Sequence, residues 1–193
     1  MKRQLADGVS LVFNPGCLIF MTLLMTVVLA QRSLFAWLLL LVVMALIASL
    51  ILLIAWARGV VIDADLSTPI NLAHRSQILL SFLSLILVVL IISFRTGQPE
   101  PLHAMFVTFL FLGCLVSGIT RFFKISLHML GVTTLVTTTL LLAGPAWWPI
   151  SLLIPVIAWA RLTLNRHTIW QVLAGLTLGF SVPALVFTAY GLV

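Results

Sequence analysis

Two short stretches of this chain hold the residue types that can do chemistry. Lys124-Ile125-Ser126-Leu127-His128 opens one apolar run, and the segment from Arg161 through His167 to Gln171 joins two others. Residues four apart on a helix share a face. Lys124 is therefore expected to point with His128, and His167 with Gln171, with Gly175 one turn further along the same stripe. Each stretch places a histidine near the start of an apolar run with a cation behind it. That kit suits phosphoryl transfer. A phosphate needs fixed positive charge and donors on its non-bridging oxygens, which Arg75, Lys124 and Arg161 can supply, and the planar fork of arginine meets two oxygens without ever deprotonating. A helix N-terminus adds unpaired amide donors. A neutral imidazole can attack phosphorus, while a second, protonated one donates to the leaving oxygen.

The elements that must position these groups are membrane helices. The chain has 193 residues, of which 63% are hydrophobic and 7% charged, and its mean hydropathy is +1.29. A water-soluble surface cannot be assembled from so few polar residues, whereas lipid tolerates such a composition. The runs are continuous rather than alternating, which points to helices and away from a strand barrel. The expected fold is all-α, a polytopic transmembrane helix bundle of about six to seven spans, forming a single integral membrane domain over residues 1–193. About 20 apolar residues cross the hydrocarbon core. By that rule the spans fall at Leu11–Ala30, Ser33–Ala57, Ile78–Phe94, Leu102–Ile119, Ile125–Ala143, Trp147–Ala160 and Thr168–Val193. The sixth is short and interrupted by Pro155, which allows an interfacial start or a tilt. Lys2 and Arg3 ahead of an apolar stretch are reminiscent of a secretory signal, but Asp7, Asn14 and Pro15 intervene, so the segment reads as a retained first span.

Following the chain from face to face concentrates charge at one side. Arg58, the loop with Asp63, Asp65, His74 and Arg75, then Arg121 and Lys124, then Arg161, Arg166 and His167 all return to the same face. The other face carries Arg32, Arg95, Glu100 and His103, with Trp147 and Trp148 as interfacial anchors. The excess of lysine and arginine places the charged face, and the N-terminus with it, on the cytoplasmic side. The net charge of +6 then reflects lipid phosphate and this bias rather than nucleic acid. Cys17 and Cys114, beside apolar runs, read as small core residues with neither a disulfide nor a metal site.

The two stretches resemble the second and third motifs of the type 2 phosphatidic acid phosphatase superfamily. Its patterns run lysine, six residues, Arg-Pro; then Pro-Ser-Gly-His; then Ser-Arg, five residues, histidine, three residues, aspartate. Ser126 and His128 match the second, with Ile125 for the proline and Leu127 for the glycine. Arg161 and His167 match the third, with Ala160 for the serine and Gln171 for the aspartate. For the first motif Arg75 is the best candidate, although Ser76 follows it and Thr68 stands at the lysine position. The similarity covers residues of about 58–180 in family order. It implies that His167 is the nucleophile of a phosphohistidine intermediate and His128 the acid for the leaving group. It also implies that Arg75 and Arg161, helped by Lys124 and Ser126, hold the phosphate of a lipid phosphate or diphosphate. No cofactor or metal is implied. The family's aspartate fixes the nucleophile's tautomer, and Gln171 brings no charge to that task. Loss of an ionic orienter in another triad lowers the rate by about 10⁴. The implied location is the bacterial cytoplasmic (inner) membrane, where members of the superfamily often work on the outer face, against the charge count.

Other readings stand beside this one. Histidines and arginines at span ends commonly sit among headgroups, and Arg121 and Arg166 are assigned to that role. Asp63 and Asp65 fit a solvated loop better than a metal site, and His103 is read as a solvated loop residue. The threonines at 133, 134 and 137–139 are expected to bond between helices, and Gly113, Gly118, Gly175 and Gly179 to permit close helix packing. A catalytically silent relative that binds anionic lipid or a membrane partner is the alternative function. A transporter is disfavoured because no charge falls near a span midpoint.

Overall fold

A computed structural model describes residues 1–30, 34–57, 59, 69–95, 100–120 and 122–193, with side chains described outside 34–41, 45, 52, 55 and 69–80. Eight α-helices and one 3₁₀ helix occupy these residues, with no strand among them: α1 Lys2–Val12, α2 Pro15–Ala30, α3 Leu34–Ala57, α4 Pro69–Arg95, α5 Glu100–Ile119, α6 Leu127–Ala143, the 3₁₀ helix Pro145–Leu152, α7 Leu153–Thr163 and α8 Ile169–Ala189.

The core is apolar, but the surface is apolar as well, unlike that of a water-soluble protein. Large apolar side chains face outward, among them Leu46, Leu50 and Trp56 on α3, Val88, Ile91 and Phe94 on α4, Phe111 on α5, and Phe180 and Leu185 on α8. Hydroxyl groups lie inside: Thr22 and Thr26 of α2, Thr108 of α5, and Thr133, Thr134, Thr137, Thr138 and Thr139 of α6 are all buried. A chain folded in lipid has every reason to do this, since apolar side chains are well solvated there and polar groups must find partners within the protein. Helix α6 is the central element, packed against α2, α7, α8 and the 3₁₀ helix.

Four of these eight hydroxyls bond within their own helix rather than across to another. Thr22, Thr26, Thr108 and Thr134 donate to the carbonyls of Leu18, Thr22, Ala104 and Leu130 at 2.7, 2.8, 2.8 and 2.8 Å. Back-bonding to the preceding turn is the nearest acceptor for a threonine in a helix, and of the five threonines expected to bond between helices Thr134 takes it instead. Thr138 does reach across, to Met105 Sδ at 3.5 Å.

Among the described residues three helical stretches are long and apolar enough to cross a membrane, Glu100–Ile119, Pro145–Thr163 and Ile169–Ala189. A fourth is counted if α1 and α2 form one bent span. That is fewer than the six to seven expected. The reasons are local. The first expected span is broken by a 48° bend between α1 and α2, where Asn14 Oδ1 accepts Cys17 N–H at 2.9 Å and Pro15 takes the first helical position. This is an ordinary helix start. Leu11 and Val12 therefore belong to α1, which has two polar faces' worth of exposed residues in Lys2, Arg3, Gln4 and Asp7. Helix α6 has 17 residues because Ser126 caps its start and Gly144 ends it at φ 85°. The apolar stretches counted in α3 and α4 are Val42–Ile51 and Ser81–Arg95.

Candidate functional site

Helix α6 begins when Ser126, in extended backbone, accepts Met129 N–H on its hydroxyl at 3.5 Å. Helix α8 begins one motif later with a reciprocal cap. Thr168 Oγ1 accepts Gln171 N–H at 3.4 Å, and Gln171 Oε1 accepts Thr168 N–H at 3.2 Å. This Thr-x-x-Gln capping box is written in the sequence. Between them, α7 closes in a turn with Asn165 at φ 55°. Arg166 N–H returns to Arg161 O at 3.3 Å, and Asn165 N–H to Leu162 O at 3.0 Å. These are the two bonds of a Schellman ending, and asparagine tolerates its left-handed position. The interval from Arg161 to His167 is thus one helix ending, one turn and one helix start. Sequence reasoning missed Asn165, although an asparagine just past a helix's last turn is a stop signal.

The N-terminal ends of α6 and α8 are fastened together. Ser126 N–H donates to Gln171 O at 3.2 Å. Lys124 Nζ donates to Arg166 O at 3.1 Å. A Cβ added at Gly175 would stand 2.6 Å from Ser126 O, and one at Gly179 would stand 2.6 Å from Leu130 O. Only glycine lets the backbones approach this closely, the small-x-x-x-small geometry of membrane helix pairs. The two motif-bearing segments therefore meet at one end of the bundle, with the last turn of α7 beside them.

Three of the expected site residues are deeply buried there: Arg161 at 1% exposure, His128 at 4% and His167 at 8%. His167 Nδ1 lies 3.0 Å from Gln171 Oε1. The same Gln171 atom receives a backbone N–H, which can only donate, so it is the carbonyl oxygen. A proton on His167 Nδ1 then completes this hydrogen bond, and the nitrogen held by Gln171 is Nδ1, not Nε2. His128 is the reverse. Its Nε2 lies 3.2 Å from the backbone carbonyl of Ser10 in α1. A carbonyl only accepts, so this hydrogen bond puts the proton of His128 on Nε2. Ser10 lies 118 positions away in sequence, and no motif marks it.

Two expectations about placement change. Lys124 precedes the cap at Ser126 and so lies outside α6; it does not share a helical face with His128, and its ammonium is held by the Arg166 carbonyl. Ser126 is wholly buried and its hydroxyl serves as the α6 cap. Arg75 lies in the backbone of α4, but its side chain is outside the described residues, as is His74. Asp63, Asp65 and Thr68 are also outside them. Among the described residues no group of three or more His, Cys, Asp or Glu is placed to hold a metal, and Cys17 and Cys114 are free thiols.

The far end of the bundle is built differently. His103 is part of α5 rather than a solvated loop. It packs edge-on against Phe94 with ring centroids 3.9 Å apart, and its Nδ1 lies 3.2 Å from Tyr190 Oη. Burial pushes the Tyr190 phenol up, so it stays neutral at physiological pH. Tyr190 caps the C-terminus of α8, about 30 Å along a 21-residue helix from the Thr168 end at 1.5 Å per residue. His103 therefore takes no part with His128 and His167.

No family model matches the chain, and no match was found among curated proteins or solved structures.

Proposed function

We propose that the chain is an integral protein of the bacterial inner membrane that hydrolyses a lipid phosphate or diphosphate through a phosphohistidine intermediate. The observation that carries the reading is the pair of opposite tautomers at one end of the bundle. His167 is held by Gln171 through Nδ1, which makes Nε2 the nitrogen that attacks, and His128 carries an Nε2–H. Phosphoryl transfer needs a neutral imidazole as nucleophile and an imidazolium as acid; His128 fills the second role when protonated on both ring nitrogens, Nε2–H being the proton it passes on. The Nε2 of His167 attacks phosphorus, forming a P–N bond as the P–O bond to the lipid breaks. The departing oxygen takes a proton from His128. Water then attacks the phosphohistidine, forming a P–O bond as the P–N bond breaks and its electron pair returns to His167 Nε2; the water proton passes to His128 and inorganic phosphate leaves. Arg161, buried in the last turn of α7, and Arg75 and Lys124 supply the positive charge that the phosphoryl oxygens require. No metal or cofactor enters the scheme.

The bundle in this reading crosses the bilayer seven times, through α2, α3, α4, α5, α6, the 3₁₀ helix with α7, and α8. Helices α3 and α4 have 24 and 27 residues, at least the roughly 30 Å of a hydrocarbon core. The lysine and arginine excess puts the site on the cytoplasmic face.

The test is phosphate release by purified protein from phosphatidic acid, phosphatidylglycerol phosphate and a polyprenyl diphosphate. His167→Ala is expected to abolish release while lipid affinity is retained. A wild-type protein that releases phosphate from none of the three, where a control phosphatase does, contradicts the reading. Lipid binding without turnover would instead favour a silent lipid-binding relative, a second reading that rests on the uncharged Gln171.

A further inference from the structure

Helix α1 lies over the candidate site. Ala6, wholly buried, packs against Ala160 and Leu164, which bracket Arg161 in sequence. One turn on, the Ser10 carbonyl takes the Nε2–H of His128. With α1 in this position the three central groups are more than nine-tenths buried, and the proton that His128 would deliver to a leaving oxygen is already committed to a backbone acceptor.

The seat of α1 is also weak. Its fully buried residues are Ala6 and Ser10, with Val9 partly buried against the core, so a small apolar area holds it down. Ser10 Oγ is buried without a hydrogen-bond partner, a loss that exposure to water would reverse. The helix carries exposed Lys2 and Arg3, whose charges are attracted to anionic headgroups. It ends at the bend before Asn14 and Pro15, where the chain leaves one helix and starts another.

We propose that α1 is an autoinhibitory lid that must leave His128 before an anionic lipid phosphate reaches the site, and that it does so by moving onto the anionic headgroup surface. The inference rests on the reading of His128 as the proton donor. Were α1 instead a fixed orienter of His128, clamping it would leave turnover unchanged or raise it, so the two roles differ in sign.

The test uses the full chain in vesicles with Cys17→Ser and Cys114→Ser as background and adds the pair Ala6→Cys and Ala160→Cys. Oxidation to clamp α1 on α7 is expected to lower phosphate release from phosphatidic acid at least tenfold, and reduction to restore it. Equal turnover in the two states, or faster turnover when clamped, overturns the lid. If neither the wild type nor the reduced pair releases phosphate, the phosphatase reading has failed, and the lid is judged by maleimide labelling of Ser10→Cys in the same background. Labelling is expected to be slow, and at least tenfold faster when Ala6→Glu forces a charge into the α1 seat. Equal labelling rates with and without Ala6→Glu overturn the lid independently of any activity.

Discussion

A single oxygen decides the chemistry available to His167. Gln171 Oε1 accepts both the Thr168 amide and the His167 ring proton, so the residue that caps α8 also sets the tautomer of His167, the nucleophile in the proposed reaction. Gln171→Glu keeps the acceptor and the capping box and adds a negative charge that favours the imidazolium-like charge of the attacking ring. Turnover is expected to rise, by about tenfold or more given the roughly 10⁴ effect of the converse change elsewhere, when kcat is compared with the wild type. Gln171→Leu removes the acceptor and should lower kcat by at least the same factor, and a Gln171→Leu variant with normal kcat would show that the tautomer is set by something else. The i, i+4 spacing made the His167–Gln171 pair legible in the sequence. The same rule failed for Lys124 and His128, because Ser126 caps α6 between them and the spacing then crosses a helix boundary. Ser10 was illegible for another reason: its contact to His128 uses a backbone carbonyl, which every residue type has.

At the scale of elements, the candidate site depends on how closely α6 and α8 approach. A methyl group at Gly175 meets the Ser126 carbonyl at 2.6 Å, below any ordinary contact, and neither backbone can yield without moving α6, which carries His128, or α8, which starts just after His167. Gly175→Ala is expected to destabilise the bundle by about 1–3 kcal/mol, the usual range for overpacking, and Gly175→Leu by more, measured as thermal midpoint in detergent. Activity should fall further than stability alone accounts for, since the shift separates the two motif segments. Gly118→Ala, where an added Cβ meets nothing within 4 Å, serves as the neutral control. The close packing at Gly175 and Gly179 was readable from their spacing, and the starts of α6 and α8 from Ser126 and the Thr168 box. The separate helix α1 was not read, although the start signal Asn14-Pro15 stood in the sequence, because the surrounding hydropathy was given more weight than the cap.

For the molecule as a whole, hydropathy alone established an all-helical chain suited to lipid, and the outward apolar and inward hydroxyl side chains have the arrangement expected of that solvent. The number of crossings was less legible, because short apolar runs, a 3₁₀ stretch and a bent helix pair carry the same composition as full spans. The convergence of charge on one end comes from counting turns along the chain, and among the described residues Lys124, Arg161, Arg166 and His167 do gather where α6, α7 and α8 meet. Vesicles of known sidedness test the arrangement across the bilayer. In a background of Cys17→Ser and Cys114→Ser, Arg166→Cys and Glu100→Cys should be labelled by an impermeant maleimide from opposite sides, with Arg166→Cys on the cytoplasmic one. Labelling of both from one side contradicts the seven-crossing path.

The central claim, that His167 carries the phosphoryl group, is tested most directly by trapping it. Protein in vesicles is mixed with phosphatidic acid labelled with ³²P in its phosphate, quenched in base within the first turnover, and digested to locate the label. The account predicts an acid-labile, base-stable label on the peptide containing His167, absent from His167→Ala and still formed, more slowly, in His128→Ala. Phosphate release at an undiminished rate in His167→Ala, or label on any other residue, would contradict it.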